Sequence, residues 1–379
     1  MKLKNIKHIP LIIIFFTILI LPVIQQYTNI FPDLQVVEKR ELAERPKLLE
    51  EESVGLKEYP KQFEQYYNDN FGFRGTVIAT NGYTLDKIFD VSPSDRVVIG
   101  KDDWLFFNNR QSLVDYEGRI QYTEEELSMG VQGLVRNWRK LEKMGITYLF
   151  VVAPDKSTIY SEFMPDHLQK KHENANSRLD QFLTRLLSEY PDFPILDLRP
   201  ALFKAKQKEI IYNKRDTHWN KRGAYVGYTQ IMNWLVKKGY SELLSTPRKN
   251  LLEIEGLTTY GDLSDYINSH VEYMNYSLER KKKGFQQVDL TDLEINNLHK
   301  AERFVNNNSN LPKVVMYKDS FTINMRDFLS EHFSNILYIH EFPCHVNLDV
   351  VRQNNPDIVI HESIERGMHD ILRFCINDY

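Results

Sequence analysis

Short, predominantly apolar segments alternate with amphipathic helical segments along most of this chain. The segment ITYLFVVAP at 146–154 is apolar almost throughout, and shorter segments of the same kind occur at 194–198, 313–317, 335–340 and 357–361. A strand that is apolar along its whole length is buried on both faces, which is typical of a parallel sheet between two layers of helices. The alternation therefore predicts a three-layer α/β fold.

Helix signals separate these strands. Thr123 and Glu126 have the spacing of a capping box, and apolar residues then recur at helical period as far as Gly145. Further helices are predicted near 177–190, from about 222 to 238, and at 321–333. Residues 240–311 carry the weakest periodicity, and Arg280 to Lys283 are interpreted there as a solvated surface run.

The amino terminus has the pattern of a membrane anchor. Residues 9–24 are apolar, and no Lys, Arg, Asp or Glu occurs from residue 8 to residue 32, whereas a helix needs about 20 such residues to cross a bilayer. Lys2, Lys4 and Lys7 precede the run, which predicts a cytoplasmic tail and an extracytoplasmic remainder in a single-pass membrane protein. We favour an uncleaved signal anchor over a cleaved signal peptide or a buried helix.

The region between this anchor and the α/β pattern contains two local signals. Phe63, Tyr66, Tyr67 and Phe71 lie at helical spacing and predict a short amphipathic helix. The segment VVIGKDDWLFFNN at 97–109 places two apolar runs around a turn and predicts a hairpin.

These signals divide the chain into three parts, listed here from the amino terminus: the cytoplasmic tail and transmembrane anchor at 1–32, a juxtamembrane segment with the hairpin at 33–120 that packs on the main domain, and the α/β domain at 121–379.

Composition narrows the functional classes. Lys and Arg number 48 and Asp and Glu 52, a net charge of −4 that gives no support to nucleic-acid binding by bulk positive charge. No Walker loop or dinucleotide fingerprint occurs, so we expect no cofactor. Cys344 and Cys375 are the two cysteines, too few for a disulfide scaffold or a Cys-rich metal site, and a bridge between them is left open.

Polar residues at three places stand where a parallel sheet binds its ligands, beyond the carboxyl ends of the strands. They are 154–156 after the first strand, 216–219 in the approach to the third helix, and 319–321 after the strand at 313–317. Ser320 follows the strand at 313–317 at a strand-to-helix turn, where backbone N–H groups suit an oxyanion. A serine nucleophile needs a general base, and His218 is the candidate, with Asp216 two residues earlier to orient it. Taken singly, Asp216 and Ser320 are each also interpretable as helix caps.

The motifs DTHWN, GDL at 261–263 and a strand that ends in DSF resemble the extracytoplasmic SGNH-type proteins related to bacterial alginate O-acetyltransferases, and within them the DHHW-type proteins of Gram-positive bacteria. EKRELAERP, VVIGKDDWLFF, APDKSTIY and HESIER occur in the order those proteins use, so the resemblance covers roughly 37–366. It implies an SGNH-hydrolase-like, flavodoxin-like fold, with Ser320 as nucleophile, His218 as base and Asp216 as orienting acid. The Asp/His element precedes the Ser element, as in a circular permutation of ordinary SGNH esterases.

By analogy the family implies an O-acetyltransferase that acts on a cell-surface polysaccharide, with a multispanning membrane protein that supplies acetyl groups. Two alternatives stay open, a carbohydrate acetylesterase and a non-catalytic glycan-binding or scaffold protein.

Several positions bear on these alternatives. Where the alginate enzymes carry Gly, this chain has Lys318, which is expected to narrow the oxyanion site or contact an anionic substrate. The backbone N–H of Ser320 is the oxyanion donor that we assign. Lys156, Tyr160 and Arg366 are expected as polar lining of the substrate site, with structural roles as the alternative.

We expect no metal. Asp155, Asp262 and Asp319 with His218 offer an alternative hydrolytic metal centre, but their spacing gives it no support, and Asp262 is interpreted as a turn residue. His340, Cys344 and His345 match no standard zinc spacing, so structural roles are expected for them.

Overall fold

The computed structural model describes residues 8–34, 36, 40–47, 55–109, 111–172, 176–288, 290, 301–341, 344 and 346–377. The chain forms two compact units, a smaller one of residues 1–94 with 264–271 and a larger one of 95–263 with 272–379. The hairpin predicted at 97–109 therefore belongs to the larger unit. Lys2, Lys4, Lys7 and His345 lie outside the described residues.

The smaller unit begins with the predicted apolar helix, α1 (Ile9–Thr28), which among the described residues is long and apolar enough to cross a membrane. Helices α2 (Tyr59–Asn70) and α3 (Arg74–Lys87) follow, and α2 is the predicted aromatic helix. The turn between them packs on α1 at Gly72, where a Cβ atom would lie 2.2 Å from the carbonyl oxygen of Pro22. Glycine is therefore required at this contact.

The strands of the larger unit are β1 (Val97–Ile99), β2 (Leu105–Phe107), β3 (Thr147–Ala153), β4 (Ile195–Asp197), β5 (Leu251–Thr258), β6 (Tyr273–Arg280), β7 (Phe285–Val288), β8 (Ala301–Asn306), β9 (Lys313–Lys318), β10 (Asn335–His340) and β11 (Ile358–Ile364). The remaining α-helices are α4 (Gln111–Tyr116), α5 (Glu124–Lys143), α6 (Lys156–Ile159), α7 (Asp166–His172), α8 (Arg178–Glu189), α9 (Arg199–Lys206), α10 (Lys221–Lys237), α11 (Asp262–Ile267), α12 (Arg326–Leu329), α13 (Leu348–Asn354) and α14 (Met368–Asn377). Along α11 the chain passes from the larger unit into the smaller.

Within the described residues, seven strands form the main sheet in the order β4-β3-β11-β9-β10-β8-β7. The five strands from β4 to β10 are parallel, as predicted, while β8 and β7 add an antiparallel edge. This edge lies in the region of weak periodicity and was not predicted. The hairpin of β1 and β2 is confirmed, and β5 and β6 form a further antiparallel pair.

Helices cover both faces of the sheet, because alternate side chains of each buried strand point to opposite sides. Leu149 and Met316 pack with Leu235 of α10 on one face. Phe150 and Val315 belong to the opposite cluster, which also contains residues of α5, α8 and α14. The predicted three-layer α/β fold is confirmed.

The disulfide left open by the sequence is present between Cys344 and Cys375. It packs on α5 at Gly133, where a Cβ atom would lie 2.6 Å from the Cys375 sulfur and 2.7 Å from the Cys344 sulfur. A larger residue at Gly133 would therefore displace the bridge.

The helix predicted at 321–333 is wrong as a single element. The segment forms a 3₁₀ turn at Ser320–Asn324, then α12, then another 3₁₀ turn at Ser330–His332. Side chains near the joints make tertiary hydrogen bonds, since Asn324 donates to the carbonyl of Trp219 at 2.8 Å and the Ser330 and Tyr338 hydroxyls lie 3.0 Å apart.

Candidate active site

Ser320 lies at the first position of the turn that follows β9. The preceding residue, Asp319, caps this turn, because its Oδ1 atom accepts the Phe321 N–H at 2.7 Å. Its Oδ2 atom accepts the Ile364 N–H at 2.6 Å, which ties the turn to the neighbouring strand β11. Asp319 rather than Ser320 is therefore the cap, and the Ser320 hydroxyl is left for other contacts.

His218 lies in a loop whose two ends are hydrogen-bonded to each other. Tyr212 and Trp219 form an isolated antiparallel bridge, and the Asn213 N–H donates to the His218 carbonyl at 3.2 Å. The indole N–H of Trp219 donates to the Phe321 carbonyl at 2.9 Å. The tryptophan of the DTHW motif thus joins the histidine loop to the serine turn.

These two segments bring the three predicted residues together. The His218 Nε2 atom lies 2.7 Å from the Ser320 Oγ atom, and the His218 Nδ1 atom lies 2.8 Å from the Asp216 Oδ1 atom. The geometry fits the tautomer in which Nδ1–H donates to Asp216 and Nε2 accepts the serine proton. A helix cap at Asp216 is not found, since Asn220 caps α10.

The carboxylate controls the charge of the imidazole. Burial alone would lower the pKa of His218, but the hydrogen bond and the negative charge of Asp216 outweigh it and raise that pKa above its ordinary value. Burial opposes ionisation of Asp216, yet hydrogen bonds from His218 outweigh it and lower the pKa of Asp216 to about 2. Asp216 is therefore an anion that stabilises protonated His218.

Asp262, interpreted from the sequence as a turn residue, lies in the site. Its Oδ1 and Oδ2 atoms accept the Thr217 N–H at 2.7 Å and the Thr217 hydroxyl at 2.6 Å. Its own N–H donates to the Asp216 Oδ2 atom at 3.0 Å. The neighbouring Gly261 permits this approach, because a Cβ there would lie 2.3 Å from the Arg215 carbonyl oxygen.

The residues that could hold a metal ion differ from the set considered in the sequence. Ligand atoms of Asp216, His218 and Asp262 lie within 4.8 Å of one another, while Asp155 and Asp319 are engaged elsewhere. All four carboxylate oxygens of Asp216 and Asp262 already accept hydrogen bonds from N–H or O–H groups. Such a set orients an imidazole, and a metal ion bound here would share these oxygens with their donors.

Three residues expected to line the substrate site are found beneath it or beside it instead. Lys156 is 3% exposed, and its Nζ atom donates to the carbonyls of Asn213, Lys214 and Asp216 at 3.0, 3.1 and 2.7 Å. Burial lowers the pKa of Lys156 to about 7. Lys156 therefore supports the histidine loop from below.

The hydroxyl of Tyr160 accepts the Ile211 N–H at 3.0 Å, and its ring stacks on Trp104 with centroids 4.4 Å apart. Arg366 forms an ion pair with Asp155, and its guanidinium lies 5.5 Å from the centre of the Phe321 ring. Both residues thus stabilise the surrounding framework.

Lys318 is 5% exposed and shares one face of β9 with Val314 and Met316. Burial lowers its pKa. The expectation that this lysine narrows the oxyanion site is not supported, because the described lining of the cavity at Ser320 does not include it. Strand alternation places Lys318 on the face of the sheet that α10 covers.

The Ser320 hydroxyl opens into a cavity of about 300 Å³. Besides the three predicted residues and Asp262, the described lining consists of neutral side chains: Asn213, Thr258, Tyr260, Tyr273, Asn275, Ile323 and Asn324. This wall is not predictable from the sequence, because four of its members lie in the weakly periodic region and none has a motif of its own.

Comparisons with known proteins identify the family of this chain. Residues 97–340 match the family described as SGNH hydrolase-like domain, acetyltransferase AlgX. The probable alginate O-acetylase AlgJ of Pseudomonas aeruginosa is 29% identical over 221 residues, which are 54% of this chain and 49% of that protein. A second such protein, from Pseudomonas syringae, is 27% identical over 55% of this chain and 50% of its own length. The chain thus spans about half the length of the relatives it matches.

The fold has a counterpart among solved structures. Bacillus cereus PatB1 with a sulfonyl adduct aligns with a TM-score of 0.53 and 16% identity, over 73% of this chain and 97% of that one. Because the family match covers most of the chain, from β1 to β10, the chain belongs to the SGNH hydrolase-like family of the acetyltransferase AlgX.

Proposed function

We propose that this protein is an extracytoplasmic O-acetyltransferase that acetylates a cell-surface polysaccharide through an acetyl-serine intermediate. The observation that carries the proposal is the continuous relay from the Ser320 hydroxyl through His218 to Asp216, with contacts of 2.7 and 2.8 Å. Such a relay serves acyl transfer on unrelated folds, so its geometry supports the chemistry independently of the family.

The first half-reaction loads the enzyme. His218 Nε2 takes the proton of Ser320 as Oγ attacks the carbonyl carbon of an acetyl donor. The tetrahedral oxyanion faces the backbone N–H of Ser320, and its collapse breaks the bond to the leaving group, which receives the proton from His218. The products are acetyl-Ser320 and the protonated leaving group.

The second half-reaction unloads it. A glycan hydroxyl in the cavity loses its proton to His218 and attacks the acetyl carbon, and Ser320 recovers the proton as the ester bond to Oγ breaks. Water in place of the glycan would give an esterase by the same steps. The neutral wall opposite Ser320 favours transfer, because it offers amide and hydroxyl groups that can hold a sugar ring.

Two features support the proposed location at the outer face of a membrane. Helix α1 is long and apolar enough to span a bilayer, and Lys2, Lys4 and Lys7 precede it. The bond between Cys344 and Cys375 is of a kind that persists in oxidising compartments. As partners we propose a polysaccharide acceptor and a multispanning membrane protein that supplies acetyl groups.

The test uses the full-length protein in detergent with p-nitrophenyl acetate as donor, with and without added glycans. We expect release of nitrophenol that depends on Ser320, and acetyl groups recovered as esters on the glycan. Release to water alone would instead support the acetylesterase. Equal, background release by the unaltered protein and by Ser320→Ala would support the non-catalytic binding protein.

A further inference from the structure

The wall opposite Ser320 is formed by one face of the β5–β6 pair. Thr258 and Asn275 of this pair line the cavity, and Thr258 lies directly across from Tyr273, which lines it as well. Side chains directly opposite each other in an antiparallel pair project to the same side, and so do alternate residues of one strand. The three residues therefore define a single side of the pair, called here the cavity face.

The cavity face continues beyond the cavity. The next cross-strand pairs on this side are Gly256 with Asn275 and Ile254 with Ser277. A Cβ atom placed on Gly256 would meet no atom within 4 Å, and Ile254 is 45% exposed. The cavity face thus continues as an open strip that leads away from Ser320.

The two faces of the pair differ in charge. On the face turned away from the cavity, Glu253 and Glu255 accept from the guanidinium of Arg222. On the cavity face, the positions from Tyr273 to Ser277 are neutral, and the first charged residue, Glu279, forms an ion pair with Lys221 at 3.0 Å. Charged side chains are common on exposed strands. A cavity face without them, next to the candidate nucleophile, therefore points to a ligand that is itself uncharged.

Cations near the cavity are committed elsewhere. Arg366 is paired with Asp155, and Lys156 donates to three backbone carbonyls. Within the described part of the chain, the cavity lining includes neither lysine nor arginine, whereas it includes the carboxylates of Asp216 and Asp262. Proteins that bind sugar acids hold the carboxylate with Arg or Lys, and here an acidic ring would meet like charge instead.

We propose that the acceptor is an electrically neutral polysaccharide that lies along the cavity face of β5–β6, and that polyuronates are excluded by charge. This inference rests on the proposed function and specifies its substrate class. It separates this chain from relatives named for alginate, a polymer with a carboxylate on every ring.

The experiment measures how the full-length protein in detergent partitions acetyl groups from p-nitrophenyl acetate. Cellohexaose and chitohexaose serve as neutral acceptors, and hexamannuronate as the acidic one. We expect transfer to at least one neutral oligosaccharide to exceed transfer to hexamannuronate by about tenfold at low salt, and high salt to narrow that ratio. Equal or preferred transfer to hexamannuronate overturns the proposal. Release to water alone with all three would support the acetylesterase and so refute the proposed function instead.

A matched pair of variants tests the face itself. Asn275 and Met274 are adjacent, exposed residues of β6 that project to opposite sides. Asn275→Lys should shift the ratio of acidic to neutral product toward hexamannuronate by about tenfold, while Met274→Lys should leave it unchanged. The ratio is internal to each variant, so differences in folding cancel.

An unchanged ratio in Asn275→Lys, or an equal change in both variants, overturns the assignment of this face. Loss of Ser320-dependent ester cleavage altogether would instead refute the proposed function, and the two failures are therefore distinguishable.

Discussion

Among the described residues, two cavities are compared at the carboxyl edge of the sheet, and the larger of them is not the candidate active site. The cavity at Ser320 measures about 300 Å³, whereas a second cavity beside Asp155, Asp197 and Glu365 measures about 520 Å³. Both are rich in hydroxyl and carboxyl groups. They differ in how those groups are paired.

In the larger cavity the carboxylates are matched with cations or donors. Asp197 accepts from Arg199 at 2.9 Å, and Glu365 accepts the Asp155 N–H and the Thr158 hydroxyl at 3.0 and 2.7 Å. In the smaller cavity a hydroxyl faces an imidazole that a carboxylate orients. A hydroxyl becomes a candidate nucleophile when a proton acceptor such as an oriented imidazole faces it. The size of a cavity does not predict this arrangement.

The largest expected effect comes from removing the hydroxyl that faces the imidazole. Ser320→Ala should lower turnover of p-nitrophenyl acetate by about 10⁶-fold, because the acetyl-enzyme cannot form. Ser157→Ala removes a hydroxyl from the larger cavity and should leave turnover within about twofold. Circular dichroism confirms the fold of both variants. Comparable losses in the two would abolish the distinction between the cavities.

The next effect concerns the carboxylate that orients the imidazole. Asp216→Asn should lower turnover by about 10⁴-fold, since the amide no longer fixes the tautomer of His218. It should also move the acid limb of the pH–rate profile to lower pH. His218 acts as a base only when neutral, and Asp216 raises its pKa, so the unaltered protein loses activity as pH falls through a value above about 6.5.

The control for this shift is Asp197→Asn, which removes a carboxylate of the larger cavity. Its acid limb should coincide with that of the unaltered protein. An Asp216→Asn profile that keeps its original midpoint would mean that another group titrates.

A smaller effect is expected on the stability of the fold, at the ion pair of Arg366 with Asp155. This pair lies next to both cavities. Asp155 lines the larger cavity, and Arg366 lies over Phe321 next to the nucleophile. Arg366→Gln should lower the free energy of unfolding by about 3–5 kcal/mol, because it leaves a buried carboxylate unpaired. Asp155→Asn in the same chain should recover part of the loss, as measured by urea denaturation. No recovery would mean that the arginine stabilises through packing on Phe321 alone.

The fold was largely readable from the sequence because its strands are buried on both faces. Such strands leave continuous apolar runs, and each predicted run became a strand of the main sheet. Elements with one exposed face leave weaker signals, so β5, β6, β7 and β8 were missed. The segment after Ser320 broke into short turns because tertiary hydrogen bonds of its side chains compete with a regular helix.

The residues of the candidate site could be predicted only where they belong to a sequence motif. Asp216, His218 and Ser320 occupy DTHW and DSF, but the contact of Asp262 with Thr217 joins positions 45 residues apart and leaves no local pattern. Lys156 and Lys318 were misplaced for a different reason. A lysine next to a strand end is equally compatible with lining a cavity and supporting it. Only the contacts of its side chain, such as the three backbone carbonyls that accept from Lys156, separate the two roles.

The smallest expected effect is at Glu365, the buried acid of the larger cavity. Burial, together with the charge of Asp155, raises the pKa of Glu365 to about 8. The folded protein therefore keeps this proton to higher pH than the unfolded chain does. Its contribution to stability is fully present below the ordinary pKa of a glutamate and is lost as pH rises through about 8.

Glu365→Gln keeps a carbonyl oxygen that can accept from Asp155 and Thr158 but removes the titration. The unfolding midpoint should match that of the unaltered protein near pH 5 and exceed it at pH 9, while turnover changes by less than about twofold. A turnover loss comparable to that of Asp216→Asn would mean that the larger cavity takes part in the reaction. The contrast between a paired, structural cavity and a reactive one would then fail.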